Sequence, residues 1–186
     1  MYIKKSILFL LGMLPIVIIF PIQSTAQIGI DYRFPIASYT VKVKPEILDF
    51  DDKGLNINFY ILEGTFEGMF KGTFVKDRKI KLDSDETTIN GDKAVIRWDG
   101  LGLTNLNTII ITEDGTMVRL QYKGRFDLGE NWLQSTAPPL FIPLWTVMTF
   151  ETENPNYRDI VRKIYQGVGE LNLFTMEVSY NIYVLP

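Results

Sequence analysis

Residues 64–74 read GTFEGMFKGTF, and two incompatible structures compete for them. Gly64, Gly68 and Gly72 stand four apart, the small-xxx-small spacing by which transmembrane helices approach one another. Phe66, Phe70 and Phe74 share one parity, which is how one face of a strand is written. A membrane helix would place Glu67 and Lys71 in hydrocarbon, and no apolar window of ~20 residues surrounds them. The strand reading survives, with Phe66, Gly68, Phe70, Gly72 and Phe74 on one face and Glu67, Met69, Lys71 and Thr73 on the other. Glycine weakens an ordinary strand, so its alternation with phenylalanine needs a cause. Either it permits the sharp coiling that closes a small barrel, or it leaves room in a lumen for a ligand.

The flanking sequence repeats the period of two. Tyr39, Val41 and Val43 share one face of a strand over 38–43. A run of β-formers from Ile57 to Glu63 ends at Gly64, so residues 55–74 are expected to hold two strands joined by a tight turn. Asn90-Gly91 and Glu113-Asp114-Gly115 are hairpin signals. After the second, Val118, Leu120 and Tyr122 face one way, and Met117, Arg119, Gln121 and Lys123 the other. Phe174, Met176, Val178, Tyr180, Ile182 and Val184 alternate with polar residues in the last strand. One short helix is predicted near residues 155–165, with Asn154 as N-cap, Pro155 at the first helical position, and an apolar stripe of Tyr157, Ile160, Val161, Ile164 and Tyr165 before Gly167. The expected fold is all-β: an antiparallel, closed or nearly closed barrel of about 8–10 strands. The proline-bearing connection over 128–143 either covers one barrel mouth or is a plain surface loop.

Composition bounds the compartment and the chemistry. The 186-residue chain opens with Lys4 and Lys5, an apolar run from Ile7 to Phe20 interrupted by Gly12 and Pro15, and small residues Ser24 and Ala26. That is the pattern of a signal peptide over 1–26, cut after Ala26, followed by one domain over 27–186 in the periplasm or medium. The apolar run is shorter than a bilayer span, so the mature chain is not expected to be embedded in a membrane. Cleavage removes two of the nineteen basic residues and none of the twenty-two acidic ones, leaving a net charge of −5. An acidic surface without a basic stripe does not suit nucleic acid. Cysteine and histidine are both absent. This excludes disulfides, Ser-His and Cys-His nucleophiles and the usual zinc and copper sites, and leaves carboxylate, Tyr, Lys and Arg chemistry with no cofactor or metal implied. The acidic cluster Asp49, Asp51 and Asp52 does not make a calcium loop, since Lys53 stands at the third ligand position and Tyr60 at the closing glutamate.

The segments LEGTFEGMFKGTF, WDG at 98–100, TEDGTMVRLQYKG at 112–124 and FETENPNYRDIVRKIYQGVGEL at 150–171 together resemble the family catalogued as domain of unknown function 3237. The resemblance runs from about Tyr39 to Val184 and is most specific in the F-E-T-x-x-P-x-Y segment and the G-V-G that follows it. It implies an antiparallel barrel similar to allene oxide cyclases and to the lipocalin-like, calycin-type barrels. It brings no reaction and no catalytic set.

Small barrels are filled by side chains or keep a cavity for one small ligand. Nine Tyr, twelve Phe and three Trp supply either a pocket or a core. Tyr39, Trp98, Tyr122, Trp145 and Arg97 are the ligand-binding candidates. Glu151 and Tyr122 are the candidates for acid or base work, with Glu67 behind them, and Arg97 and Arg119 are possible partners of a carboxylate. Two functions stand from this reading: a barrel that binds a small apolar or aromatic molecule, or a cofactor-independent lyase, isomerase or cyclase using a carboxylate and a tyrosine. A homo-oligomer is compatible with either. A lumen lined only with Phe, Leu and Val would favour the first, and a buried carboxylate in reach of a Tyr or Arg the second.

Overall fold

Strands β1 (Ala37–Phe50) and β2 (Leu55–Glu67) form a long antiparallel hairpin in which Tyr39 opposes Phe66 and Ile47 opposes Ile57. The computed structural model describes residues 34–76, 91–135 and 139–186; the expected signal peptide, Asn90 and Pro138 lie outside them. Asp51 closes the hairpin, its Oδ1 accepting from the backbone N–H of Lys53 (2.8 Å) and of Gly54 (3.1 Å). The acidic cluster is thus used in a turn.

The remaining strands are β3 (Gly72–Phe74), β4 (Gly91–Ile96), β5 (Leu101–Thr112), β6 (Met117–Asp127), β7 (Phe141–Glu151), β8 (Tyr165–Asn172) and β9 (Glu177–Val184). Each pairs antiparallel with its neighbours, and β1 closes the ring by pairing with both β9 and β2. Among the described residues, nine strands make eight staves, because β3 and β4 share one. Both lie between β2 and β5, β4 against Leu55–Phe59 and β3 against Thr65 and Phe66. Closure pairs every stave with two neighbours, while the far end of β1 extends beyond β9 and pairs with β2 alone.

The opening stretch is two strands and a turn, as expected, with the turn in another place. Gly64 is mid-strand opposite Val41. The chain reverses over 68–71, where Gly68 has φ +114 and passes so close to Ala37 that a Cβ would sit 2.5 Å from its Cα. Phe66, Phe70 and Phe74 are all buried, but Phe70 reaches the interior from the turn and not from a strand. Its ring stacks on Phe66 at 4.2 Å and meets Phe150 and Tyr157 edge-on. These rings, with Tyr165 against Phe150, stopper one end of the barrel. The glycines here serve the turn and close strand approach.

The helix is shorter than predicted. A 3₁₀ turn at Pro155–Tyr157 runs into α1 (Arg158–Val161), and Asn154 caps it by accepting from the Asn156 N–H. Tyr165, assigned from sequence to the helical stripe, instead starts β8 opposite Met148 and Val184, and its hydroxyl donates to the Ile160 carbonyl at 2.8 Å. Burial of that ring in the barrel overrides the helical period. The last strand is also shorter, since residues 173–176 form a turn, with Phe174 exposed and Met176 at φ +55.

Candidate functional site

The inner face of the barrel is mainly apolar, with a few buried threonines and one polar row across its middle. Asp92 on β4, Leu106 on β5 and Tyr122 on β6 stand side by side in register. Ala94 and Ile96 point inward, and the period of two carries Asp92 to the same side. Oδ2 of Asp92 accepts a 2.5 Å hydrogen bond from the Tyr122 hydroxyl. Oδ1 accepts from the Thr104 hydroxyl and from the Asn105 N–H at 3.1 Å. Burial pushes the carboxyl up to about 6, against the pull of these bonds. It is therefore mainly ionised at neutral pH and still able to hold a proton.

Two more phenols complete the row. Tyr39 and Tyr180 are cross-strand partners on β1 and β9, their rings 5.1 Å apart, and Tyr180 lies 5.8 Å from Tyr122. The hydroxyls of Tyr39 and Tyr180 are buried and make no hydrogen bond of good geometry, and the same holds for Thr146 Oγ1; Tyr122 lies near enough to interact with both phenols, and Thr146 with Tyr180. Burial raises all three tyrosines above the usual phenol range, and the Asp92 charge adds to the rise. They are neutral donors at any physiological pH.

The G-V-G of β8 makes this arrangement possible. A Cβ on Gly169 would stand 2.6 Å from Tyr180 Cδ1 and 2.0 Å from the Ser179 carbonyl oxygen, so the Tyr180 ring lies where a side chain on β8 would be.

A cavity of about 40 Å³ borders Asp92, Tyr39, Tyr122 and Tyr180, with Val41, Val43, Ile61 and Leu106 among its apolar walls. That is room for roughly three waters. Toward the end opposite the phenylalanine stopper lies a second, apolar pocket of about 250 Å³, walled by residues including Ile57, Ile96, Leu128, Trp132 and Ile142. Phe59, Phe126 and Leu171 border both spaces. They form a neck between mouth and interior, and the connection after β6 contributes Trp132 to the mouth.

Of the residues singled out from sequence, Tyr39 and Tyr122 meet in the lumen. Trp98 is 46% exposed in the β4–β5 turn, stacked on Phe50, with its indole N–H directed at the Asp52 carbonyl. Trp145 is 40% exposed on the outer face of β7. Arg97 pairs with Asp99 at the surface (2.7 Å). Glu151 is on the outer face of β7, 3.5 Å from Arg119, both about half exposed, and Glu67 is exposed at the end of β2. Among the described residues, the carboxylate that borders the lumen cavity is Asp92, which sequence reasoning passed over. Its signal was the parity of Ala94 and Ile96.

The family model of DUF3237, described as protein of unknown function, matches residues 34–185. Solved structures of similar fold include a protein with unknown function from Clostridium acetobutylicum ATCC 824, at TM-score 0.65 and 20% identity over 82% of this chain and 98% of that one. A β-barrel-like protein from Acinetobacter baumannii AYE is similar at TM-score 0.64 and 23% identity, over 82% and 94% of the two chains. A conserved protein of unknown function from Rhodopseudomonas palustris is similar at TM-score 0.66 and 19% identity, over 81% and 95%. At these identities the likeness is one of fold. No curated protein matches the chain.

Proposed function

This chain belongs to the DUF3237 family, and from the chemistry of its own lumen we propose that it takes up a small, mostly apolar or aromatic molecule and moves a proton on it, as a cofactor-independent lyase, isomerase or cyclase. The observation that carries this is the 2.5 Å bond between the Tyr122 hydroxyl and Asp92 inside an apolar barrel. A carboxylate in such a place costs stability by desolvation, and burial that lifts it toward neutrality is how a general base is tuned. The molecule enters at the Trp132 mouth and passes Phe59, Phe126 and Leu171 to reach the pair.

The test uses Asp92→Asn, which keeps the shape and removes the base. Native mass spectrometry of wild type and variant from the protein's own host is expected to find a small molecule retained on the variant. Added wild-type protein should convert it, as seen by chromatography of the extracted molecule. A lumen empty in both proteins would sink the proposal. A molecule held equally by both and left unchanged would support the second reading, a barrel that binds without catalysis. The apolar mouth favours that reading, because its walls offer grip without chemistry.

We also propose that residues 1–26 are removed after Ala26 and that the barrel works in the periplasm or medium. The support is the basic, apolar and small-residue order of that segment. N-terminal sequencing of the protein from its host should begin at Gln27, and a start at Met1 would refute export by cleavage.

A further inference from the structure

Four polar groups of the lumen lie near one another with different capacities left over. Asp92 accepts three hydrogen bonds through its two oxygens, and a carboxylate has about four lone-pair sites, so one stays available. The Tyr122 O–H is already engaged as a donor to Asp92. Tyr39 and Tyr180 have each a buried O–H that makes no well-formed hydrogen bond. A buried donor left unpaired is costly, so two of them bordering one cavity ask for an acceptor there. The residues lining that cavity include no Lys, Arg or His. An anionic molecule would have no counter-ion and would meet Asp92. The ligand must therefore be neutral on entry and carry an acceptor oxygen.

We propose that the substrate is a neutral carbonyl compound with an acidic C–H next to its carbonyl. Tyr39 and Tyr180 donate hydrogen bonds to the carbonyl oxygen, and Asp92 is the base that takes the proton. The inference rests on the proton-transfer reading of the lumen. In the step, the C–H bond breaks and the proton goes to Asp92. The C–H electron pair becomes the C=C bond of an enolate, and the carbonyl π pair moves onto oxygen. One negative charge passes from Asp92 to that oxygen, so the charge of the lumen is unchanged and no cation is required. Where the enolate is conjugated with a further C=C, return of the proton from Asp92 to the far carbon completes an isomerisation. Where a leaving group stands on the β-carbon, the enolate collapses to the carbonyl, the group departs with its bonding pair, and an elimination is complete. The two donors stand where charge develops, which is the requirement for an oxyanion hole, and Tyr122 positions the base.

The enolate state is mimicked by 4-nitrophenolate bound to Asp92→Asn, whose amide stands for the protonated base. The phenolate absorbs visibly, so its binding and ionisation are read directly, and naphthalene serves as an apolar control of similar width. The expected result is that the variant binds 4-nitrophenolate at least ~10-fold more tightly than wild type does. Tyr39→Phe and Tyr180→Phe, each added to Asp92→Asn, should each weaken it ~10-fold or more, the usual effect of losing a hydrogen bond to a charged oxygen, and leave naphthalene binding unchanged. Both Tyr→Phe changes delete a hydroxyl that makes no well-formed hydrogen bond, so the proteins should melt close to their parent. Naphthalene binding with no phenolate preference, or a preference that survives both Tyr→Phe changes, would overturn the oxyanion site and leave the apolar lumen standing. Failure of both probes to bind any of the proteins would overturn the lumen reading and this inference together.

Discussion

The Tyr122 hydroxyl reaches Asp92 from a strand that is not its neighbour: β5 lies between, and the 2.5 Å bond passes over Leu106 in the same row. Adjacent staves are about 4.8 Å apart, so a short acid on β4 and a long phenol on β6 span two staves between them. The pair ties three staves together in the interior, and its strength depends on the charge of Asp92.

Tyr122→Phe should therefore destabilise the protein by an amount that varies with pH. Above pH 7 the lost bond is one to a carboxylate, worth about 1.5–3 kcal/mol, and near pH 5 it is one to a largely neutral acid, worth about 1 kcal/mol. The variant's Asp92 should titrate above the wild-type value of about 6, since that bond favours the charged form. Urea melts of the two proteins at pH 5 and pH 8 measure both effects. Equal differences at the two pH values would show that the bond does not sense the charge.

Gly72→Val tests the packing of the opening stretch. A Cβ at Gly72 would stand 2.7 Å from Ile110 Cγ2 and 2.7 Å from the Ile111 carbonyl oxygen, and the backbone atom cannot turn aside. The change should cost about 1–3 kcal/mol, as overpacking does, read as a lower melting temperature. An unchanged melt would mean that β3 does not lie against β5 as described.

Much of this architecture was legible in the alternation of residues. The β5–β6 hairpin lies at Glu113-Asp114-Gly115, and Val118, Leu120 and Tyr122 point inward. The helical segment was misjudged in length because Ile160, Val161, Ile164 and Tyr165 satisfy a helical spacing as well as a loop leading into a strand. Only the burial of Tyr165 against Phe150 decides between them. Trp145, a pocket candidate as an aromatic on a strand beside polar neighbours, lies outside on a strand whose two faces are both apolar: Ile142, Leu144 and Met148 point in, while Phe141, Trp145 and Val147 are exposed. Parity cannot be set from such a strand alone. Asp92 was missed for the opposite reason, since an acidic residue beside Gly91 reads as turn chemistry, and only ring closure converts it into a lumen residue. The F-E-T-x-x-P-x-Y segment, on which the sequence resemblance leans most, has a structural role. Asn154 donates to Thr116 Oγ1 at 2.7 Å and the Tyr157 hydroxyl to Asp114 at 3.1 Å, fastening the short helix onto the β5–β6 hairpin at the stoppered end.

Glu151→Gln should matter little. Glu151 and Arg119 oppose each other across β6 and β7 on the outer face, 3.5 Å apart and about half exposed, and such pairs add little because solvent screens them. The expected result is a melt close to wild type and unchanged binding of naphthalene. A loss of binding would mean that Glu151 acts on the lumen through a route the geometry does not contain.

The pH dependence of stability isolates Asp92 most directly. Its carboxyl titrates near 6 in the folded protein and near 3.8 in a free chain, so between those values the folded state holds more protons than the unfolded one. Stability from this group is complete below about pH 4 and is lost as pH rises through 6, above which it stays constant. The loss is on the order of 2–3 kcal/mol by the size of the shift. Asp114 acts in the opposite sense and in a lower window. The Thr112 hydroxyl and the Thr116 N–H hold it down to about 2, so its contribution is lost only as pH falls below about 4. Denaturant melts from pH 4.5 to 7.5 therefore see Asp92 without Asp114. Wild type should weaken across that range relative to Asp92→Asn, which has no proton to lose and whose amide can still meet the Thr104 and Tyr122 hydroxyls once they rotate. Two parallel stability curves would mean that Asp92 titrates like a solvated acid. It would then not be the desolvated base on which the proton-transfer reading depends.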